Sequence, residues 1–300
     1  MASTLNIRVR DDWAIIEQRS TQDARRSLIL LLSVAIFSAL ATAAVDHFVL
    51  SSEAIRSFLV EAASLCLYGA VAVWYALRRR RERWRIAGLT YVFLLAVMAL
   101  VDYLSKRGLR DTFVNSGQVA NPILYTGLLM GFYPLPFLWL IRRYPTEARS
   151  IGLYMARPGL WIAVGLLSAA VLSGHFLFTG LMSRAITLRP QPLPYLVWTA
   201  LFEFAVQSLS EELFFRGLVF DYLVNTRRQS LWLAAVISSG FNLLIYVVKG
   251  GWVENPILTL GVVFYAFMMS MLSAILYQAS GSILPGWISN ATFGLFTVFR

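Results

Sequence analysis

The chain of 300 residues is poor in the side chains on which many enzyme sites are built. It has one cysteine, Cys66, and two histidines, His47 and His175. A single cysteine excludes a disulfide framework and a cysteine-based zinc site. A catalytic zinc site is also excluded, because three good ligands do not occur at a suitable spacing. We therefore expect neither a metal nor another cofactor.

Charge is scarce as well, since 14% of the residues are Asp, Glu, Lys or Arg and 58% are hydrophobic. A soluble domain carries about 25% charged residues. The apolar residues fall in runs of about 18–25, the length that crosses a hydrocarbon core of ~30 Å. The sequence predicts an all-α, polytopic membrane helix bundle of about eight to nine transmembrane helices, with the lipid bilayer as a partner.

The pattern of apolar runs also predicts how the chain is organised. Residues 1–26 form a polar tail, residues 27–149 an N-terminal four-helix membrane region, and residues 150–300 a second membrane domain. The spans after about residue 150 carry the buried polar groups, so chemistry is expected there. We place spans at about 27–45, 57–77, 86–104, 122–141, 158–182, 195–225, 231–248, 256–278 and 283–299.

Basic residues predict the orientation. The net charge is +10, and arginines gather in the tail and in alternate connections, most densely at Arg78–Arg81. By the positive-inside rule these segments face the cytoplasm. We predict an integral protein of the bacterial inner membrane with a cytoplasmic N-terminus. Nucleic acid is not an expected partner, because no basic face accompanies a soluble fold.

The most informative segment is an acidic and basic cluster within one apolar run, formed by Glu211, Glu212 and Arg216. Insertion of an ionisable side chain at the bilayer centre costs at least roughly 2.5–3.5 kcal/mol of free energy. The cluster therefore requires a functional or structural explanation. Glu212 and Arg216 are four residues apart and can pair on one helix face. Glu211 has no nearby cation in the sequence and is a candidate general base. A purely structural salt-bridge network is the alternative.

A second polar stripe runs along the same helix. Glu203, Gln207 and Glu211 recur every four residues, which places them on one face. For Glu203 we expect a packing or solvated role rather than a catalytic one.

The segment Glu-Glu-x-x-x-Arg-Gly resembles the first motif of the CAAX-protease and bacteriocin-processing family, also called CPBP or Abi. The resemblance covers about residues 150–300 and includes Gly152-Leu153, Ser238-Ser239 and the segment Gly281–Pro285. It implies an intramembrane endopeptidase in which Glu211 activates water inside a cavity open to the cytoplasm. Glu212 and Arg216 would fix the geometry of that base.

The other two motifs of that family are altered here. Where Phe-x-x-x-His is expected after Phe241, the histidine position falls on Ile245 or Tyr246, depending on the alignment. Where His-x-x-x-Asn is expected, Asn290 and Gly294 occur instead. Amide and hydroxyl donors can still stabilise an oxyanion, so we expect Asn242, Tyr246 and Asn290 to position water or the oxyanion. Asn242 and Asn290 can equally be hydrogen-bonding residues between helices.

Neither histidine replaces the missing motif residues in an obvious way. His47 lies at the outer end of the first predicted span, where we expect an interfacial residue. His175 lies at a depth similar to that of Glu211, at a rise of ~1.5 Å per residue. We expect His175 to hydrogen-bond to a neighbouring helix, and an approach to the cavity is the alternative.

Three functions follow, in decreasing order of support. The first is a glutamate-dependent intramembrane endopeptidase that hydrolyses a peptide or membrane-protein segment. The second is an inactive relative that acts as a membrane scaffold or sensor and binds a partner helix, because both motif histidines are absent. The third is a transporter, which the lack of paired broken spans in two matching halves disfavours.

Overall fold

A computed structural model describes residues 29–38, 40, 54–106, 113–115, 120–122, 130–154, 157–188, 190–191, 193–249 and 256–297. These residues are mostly helical, which confirms the predicted helical class. One short antiparallel pair of strands is an exception to the all-α prediction. The predicted tail, residues 1–26, and His47 lie outside the described residues.

The elements with defined bounds follow one another along the chain. The N-terminal ones are α1 (Ile29–Ser38), α2 (Ala54–Ala76), α3 (Arg83–Lys106), β1 (Phe113–Asn115), β2 (Ala120–Pro122), α4 (Leu135–Arg143) and α5 (Pro145–Arg149). The C-terminal ones are α6 (Pro158–Met182), α7 (residues 193–226), α8 (Leu231–Lys249), α9 (Pro256–Ser280) and α10 (Leu284–Thr297). Strands β1 and β2 pair with Val114 opposite Asn121.

Helix α7 carries the charged cluster and changes its winding along its length. It is α-helical over Leu193–Phe202 and Ser208–Glu211, and π-helical over Glu203–Gln207, Glu212–Phe220 and Tyr222–Thr226. A π-helix bonds each N–H group to the carbonyl five residues earlier; it is rare, and it frequently occurs at functional sites. The wider turn changes which side chains of α7 share a face.

The predicted spans are recovered in part. Within the described residues, Pro158–Met182 and Thr259–Ser280 are long and apolar enough to cross a membrane. The number of eight to nine spans therefore stays a prediction. The span predicted at 122–141 is not one continuous helix, because β2 ends at Pro122 and the chain turns at Tyr133 and Pro134 before α4. A proline donates no backbone N–H group, which favours a break at this point.

One hydrophobic core crosses the predicted division near residue 150. Tyr68 of α2 stacks on Phe214 of α7, with ring centroids 4.3 Å apart, and meets Phe215 edge to face. Gly217 lets α7 approach the loop after α5 closely, because a Cβ there would lie 2.5 Å from the carbonyl oxygen of Ile151. Cys66 is a buried thiol in this core.

Three connections predicted to lie on the same side of the membrane meet at one end of the bundle. Arg80 forms an ion pair with Glu147 at 2.8 Å, and this contact raises the pKa of Arg80. Arg78 donates to the Ser150 hydroxyl at 3.3 Å. The Ile283 N–H group donates to the carbonyl of Gly152, whose φ of +81° favours glycine. We call this the arginine-rich end.

Candidate active site

The predicted pair on α7 is present and buried. Glu212 and Arg216 are 0% and 1% exposed, and the Arg216 Nε lies 3.5 Å from the Glu212 Oε2. Arg216 also donates through Nη2 to the Ser270 hydroxyl of α9 at 2.7 Å. Gly286 of α10 leaves room for the carboxylate, because a Cβ there would lie 2.6 Å from the Glu212 Oε2. The charge of each partner is thus partly compensated inside the bundle.

Glu211 faces a different neighbour. Its side chain is buried, and its Oε2 accepts a hydrogen bond from the Asn290 Nδ2 at 3.0 Å. Asn290 lies on α10, so two helices that are distant in sequence supply the pair. The structure therefore brings together the candidate base and the residue at the altered third motif.

A cavity of about 110 Å³ lies beside these residues. A site needs roughly 10–15 Å³ to hold one water molecule, so this cavity has room for several. Glu211 is not among the described lining residues. It is linked to the cavity by its hydrogen bond to Asn290, which is a lining residue. The described lining consists of Glu203, Gln207, Arg216, Asn242, Val262, Ala266, Ser270, Asn290, Phe293 and Gly294.

Glu203 has a position that the sequence interpretation missed. We expected packing or solvation, yet its half-buried side chain forms part of the cavity wall. Its Oε2 accepts a hydrogen bond from the Ser208 hydroxyl at 3.2 Å. Its carboxylate packs over Gly294, where a Cβ would lie 2.9 Å from the Glu203 Cδ. The stripe shared with Gln207 and Glu211 was the signal that pointed to this face.

Of the two predicted site residues on α8, one has a described side-chain contact and the other does not. Asn242 is buried and donates to the Ser270 hydroxyl at 3.4 Å. Ser270 therefore joins Asn242 to Arg216, and nothing in the residue pattern distinguishes this serine within an apolar helix. Tyr246 belongs to α8, but its side chain lies outside what the structure describes, so its role stays a prediction.

His175 contacts a neighbouring helix, as expected. Its Nδ1 hydrogen-bonds to the hydroxyl of Tyr265 on α9, which also lies 3.0 Å from the Thr179 hydroxyl. Phe176, beside His175, packs against Phe293 of the cavity wall. Among the residues that the structure describes, no histidine lines the cavity.

The cavity lies toward the end of the bundle where α7 and α9 begin. Glu203, Gln207 and Val262 are on that side of the Glu212–Arg216 pair, and the arginine-rich end is on the other. The resemblance implied a cavity open to the cytoplasm, and the side to which this cavity opens stays a prediction.

Metal chemistry has no obvious ligand set in this region. In the described parts of the chain, no group of three or more His, Cys, Asp or Glu side chains could hold a metal ion. The cavity instead offers carboxylate, amide, hydroxyl and guanidinium groups. These groups can transfer protons and stabilise negative charge.

Comparisons with known proteins agree with the motif. The model of the family described as "Type II CAAX prenyl endopeptidase Rce1-like" matches residues 192–296, which include α7, α8, α9 and nearly all of α10. No curated protein and no solved structure matches the chain. Residues 192–296 thus match the Rce1-like family, which confirms the family that the motif Glu211–Gly217 resembles.

Proposed function

We propose that this chain is an integral membrane endopeptidase that hydrolyses a peptide bond in a membrane-associated substrate with Glu211 as the general base. The observation that carries the proposal is the 3.0 Å contact between the Glu211 carboxylate and Asn290 at the wall of the cavity. A buried carboxylate next to a space that admits water can take a proton from that water. The Rce1-like match supports peptide hydrolysis as the reaction.

The proposed reaction begins with the Asn290 amide. One N–H group of Asn290 holds Glu211, and Asn290 lines the cavity, where its remaining amide N–H and C=O groups would orient a water molecule. Glu211 takes a proton from this water, and the resulting hydroxide adds to the substrate carbonyl carbon. The carbonyl oxygen then carries negative charge and requires N–H donors.

Arg216 and Asn242 are candidate donors for that oxyanion. Both line the cavity. Within the described residues, the Arg216 Nη1 has no hydrogen-bond acceptor, so its two N–H groups remain for a substrate oxygen. Removal of one oxyanion donor typically lowers a rate by about 10²–10³. Glu212 would hold Arg216 at the cavity wall rather than contact the substrate.

The membrane location is part of the proposal. The apolar helices Pro158–Met182 and Thr259–Ser280 support it, as does the family match. We propose that the arginine-rich end faces the cytoplasm of a bacterial cell, which also places the N-terminus there. The family description makes a prenylated peptide the first substrate to test.

The test is cleavage of internally quenched peptides, with and without a prenylated cysteine, by the full chain in lipid vesicles. Glu211→Gln keeps the shape of the side chain and removes the base, so cleavage should fall by about 10²–10⁴. Glu147→Gln makes the same chemical change far from the cavity and should leave the rate unchanged. Equal cleavage by wild type and Glu211→Gln would disprove the role of Glu211.

A second candidate function is a non-catalytic scaffold or sensor that binds a partner helix. It is favoured by the lack of a histidine in the described cavity wall, because histidine is the side chain best suited to acid–base work near pH 7. Under this alternative, the wild type cleaves none of the peptides. Glu211→Gln and Glu147→Gln would then retain the same affinity for a transmembrane peptide.

A further inference from the structure

We propose that Glu203 donates the proton to the leaving amine when the peptide bond breaks, an inference that rests on the peptidase function proposed for Glu211. Among the described lining residues of the cavity, Glu203 is the carboxylate, whereas Glu211 accepts a hydrogen bond from the lining residue Asn290. The two residues therefore offer the same functional group in two different settings.

The two carboxylates approach α10 at successive turns. Glu211 contacts Asn290, and the Glu203 carboxylate packs over Gly294. Four residues of an α-helix advance by about 6 Å, so the contact points are about one turn apart. A single peptide bond that lies along this wall would have one carboxyl group near each end. Two carboxyl groups in different environments commonly divide the base and acid roles.

Gly294 is what permits this placement of Glu203. A Cβ at residue 294 would lie 2.9 Å from the Glu203 Oε2 and 3.1 Å from its Oε1. The first distance is shorter than Cβ atoms adopt and the second is tight, so a larger residue would shift the carboxylate, which is the end of a flexible side chain. The Ser208 hydroxyl restrains the same carboxylate from its own helix. The position of Glu203 thus depends on two separate contacts.

The chemistry requires a proton donor at this point. An amide nitrogen leaves readily only after it gains a proton, a task that histidine performs in many peptidases. No histidine is found in the described lining of this cavity. In the proposed step, the tetrahedral intermediate collapses, the C–N bond breaks, and the Glu203 carboxyl proton passes to the nitrogen.

The proton balance then closes with water alone. Glu211 holds the proton that it took from the attacking water and releases it to solvent, while Glu203 regains a proton from solvent. The net reaction consumes one water molecule and yields one carboxylic acid and one amine.

Leaving-group dependence tests this role. The full chain, Glu203→Gln and Glu211→Gln are compared on a peptide amide and on the 4-nitrophenyl ester of the same acyl segment. A nitrophenolate leaves without protonation, so Glu203→Gln should slow amide cleavage by about 10²–10⁴ and leave ester cleavage near the wild-type rate. Glu211→Gln should slow both reactions.

The possible outcomes separate the two proposals. If Glu211→Gln behaves as expected and Glu203→Gln cleaves both substrates at the wild-type rate, the acid role is disproved and the peptidase function stands. Equal losses on amide and ester after Glu203→Gln would also overturn the acid role, because a merely structural change does not depend on the leaving group. If wild type cleaves neither substrate, both proposals fail.

A second variant, Gly294→Ala, tests the position of the Glu203 carboxylate without changing Glu203 itself. Gly294→Ala should push the carboxylate away and lower amide cleavage by about 10–10²-fold, since small misplacements of reacting groups have effects of this size. Ester cleavage should change little. Gly261→Ala, where a Cβ meets open space, is the matched control on α9. Unchanged amide cleavage after Gly294→Ala would contradict the proposed placement.

Discussion

The two halves of α7 contain buried carboxylates in very different surroundings. Near its C-terminal end, Asp221 accepts hydrogen bonds from the Tyr277 hydroxyl at 3.2 Å and from the Asn225 amide at 2.9 Å. In the other half, Glu211 and Glu203 lie at or beside a cavity. Burial of an acid therefore does not by itself indicate a function. The presence of space next to the carboxylate is the difference that matters.

Packing follows the same division. Every residue from Glu212 to Phe220 is buried, and Gly217 brings this half of α7 against the backbone of Ile151. Toward the start of the helix, Glu203 and Gln207 are only partly buried. The tightly packed half anchors the helix, and the polar half can then hold its side chains around the cavity. The Glu212–Arg216 pair lies at the boundary between the halves.

The largest expected difference between the halves is catalytic. Glu211→Gln should lower peptide cleavage by about 10²–10⁴, whereas Asp221→Asn should keep nearly the wild-type rate. Both changes replace a buried carboxylate of α7 by an amide, so they are closely matched. Steady-state cleavage in vesicles measures the effect. A similar loss of activity in both variants would show that the cavity does not distinguish the role of Glu211 from that of Asp221.

The second largest effect should be a loss of stability when the Glu212–Arg216 pair is disrupted. Arg216→Ala leaves Glu212 buried without its cation, and such a change costs about 3–5 kcal/mol. The double variant Glu212→Gln with Arg216→Met removes both charges and should lose less. The midpoint of unfolding in detergent compares the two. An equal loss would mean that the charge of Glu212 needs no partner.

Gly217→Ala tests the packed half. A Cβ at this position would lie 2.5 Å from a backbone oxygen, which cannot move aside as a flexible side chain does. Overpacking of this kind costs about 1–3 kcal/mol. Gly240→Ala on α8 adds a methyl group in open space and should have little effect. Equal unfolding midpoints for the two variants would show that α7 and the Ile151 loop are not tightly packed.

The smallest expected effect is at Tyr277. Tyr277→Phe removes one of the hydrogen bonds to Asp221, and a hydrogen bond to a charged group contributes about 1.5–3 kcal/mol at most. Because Asn225 still donates to Asp221, we expect the lower part of that range. Cleavage should remain at the wild-type rate. A large loss of activity with unchanged stability would place Asp221 in the active region.

Local spacing explains what the sequence could predict. The Glu212–Arg216 pair follows from a separation of four residues on one helix, and the contact of Asn290 with Glu211 agrees with the family motif. Ser270 could not be selected, and Gly294 was noted only as an altered motif position, because the roles of both residues depend on how α9 and α10 pack against α7. The π-helical winding of α7 has no simple signature in the residue pattern.

The charge pattern predicted which loops meet but not where the cavity lies. Arg80 and Glu147 do pair across two connections assigned to one side. The side on which a cavity forms depends instead on the side chains that fill each half of the bundle. Large aromatic residues, such as Phe214 and Phe220, fill the half next to the arginine-rich end.

Under the proposed peptidase function, the small cavity bears on the conformation of the substrate. A helix with its side chains is about 10–12 Å across, whereas the cavity of about 110 Å³ has room for a few water molecules. We therefore expect a helical substrate to unwind over a few residues before a peptide bond reaches Asn290. Glycine or proline near the cleaved bond should speed hydrolysis, because these residues lower the free energy needed to open a helix.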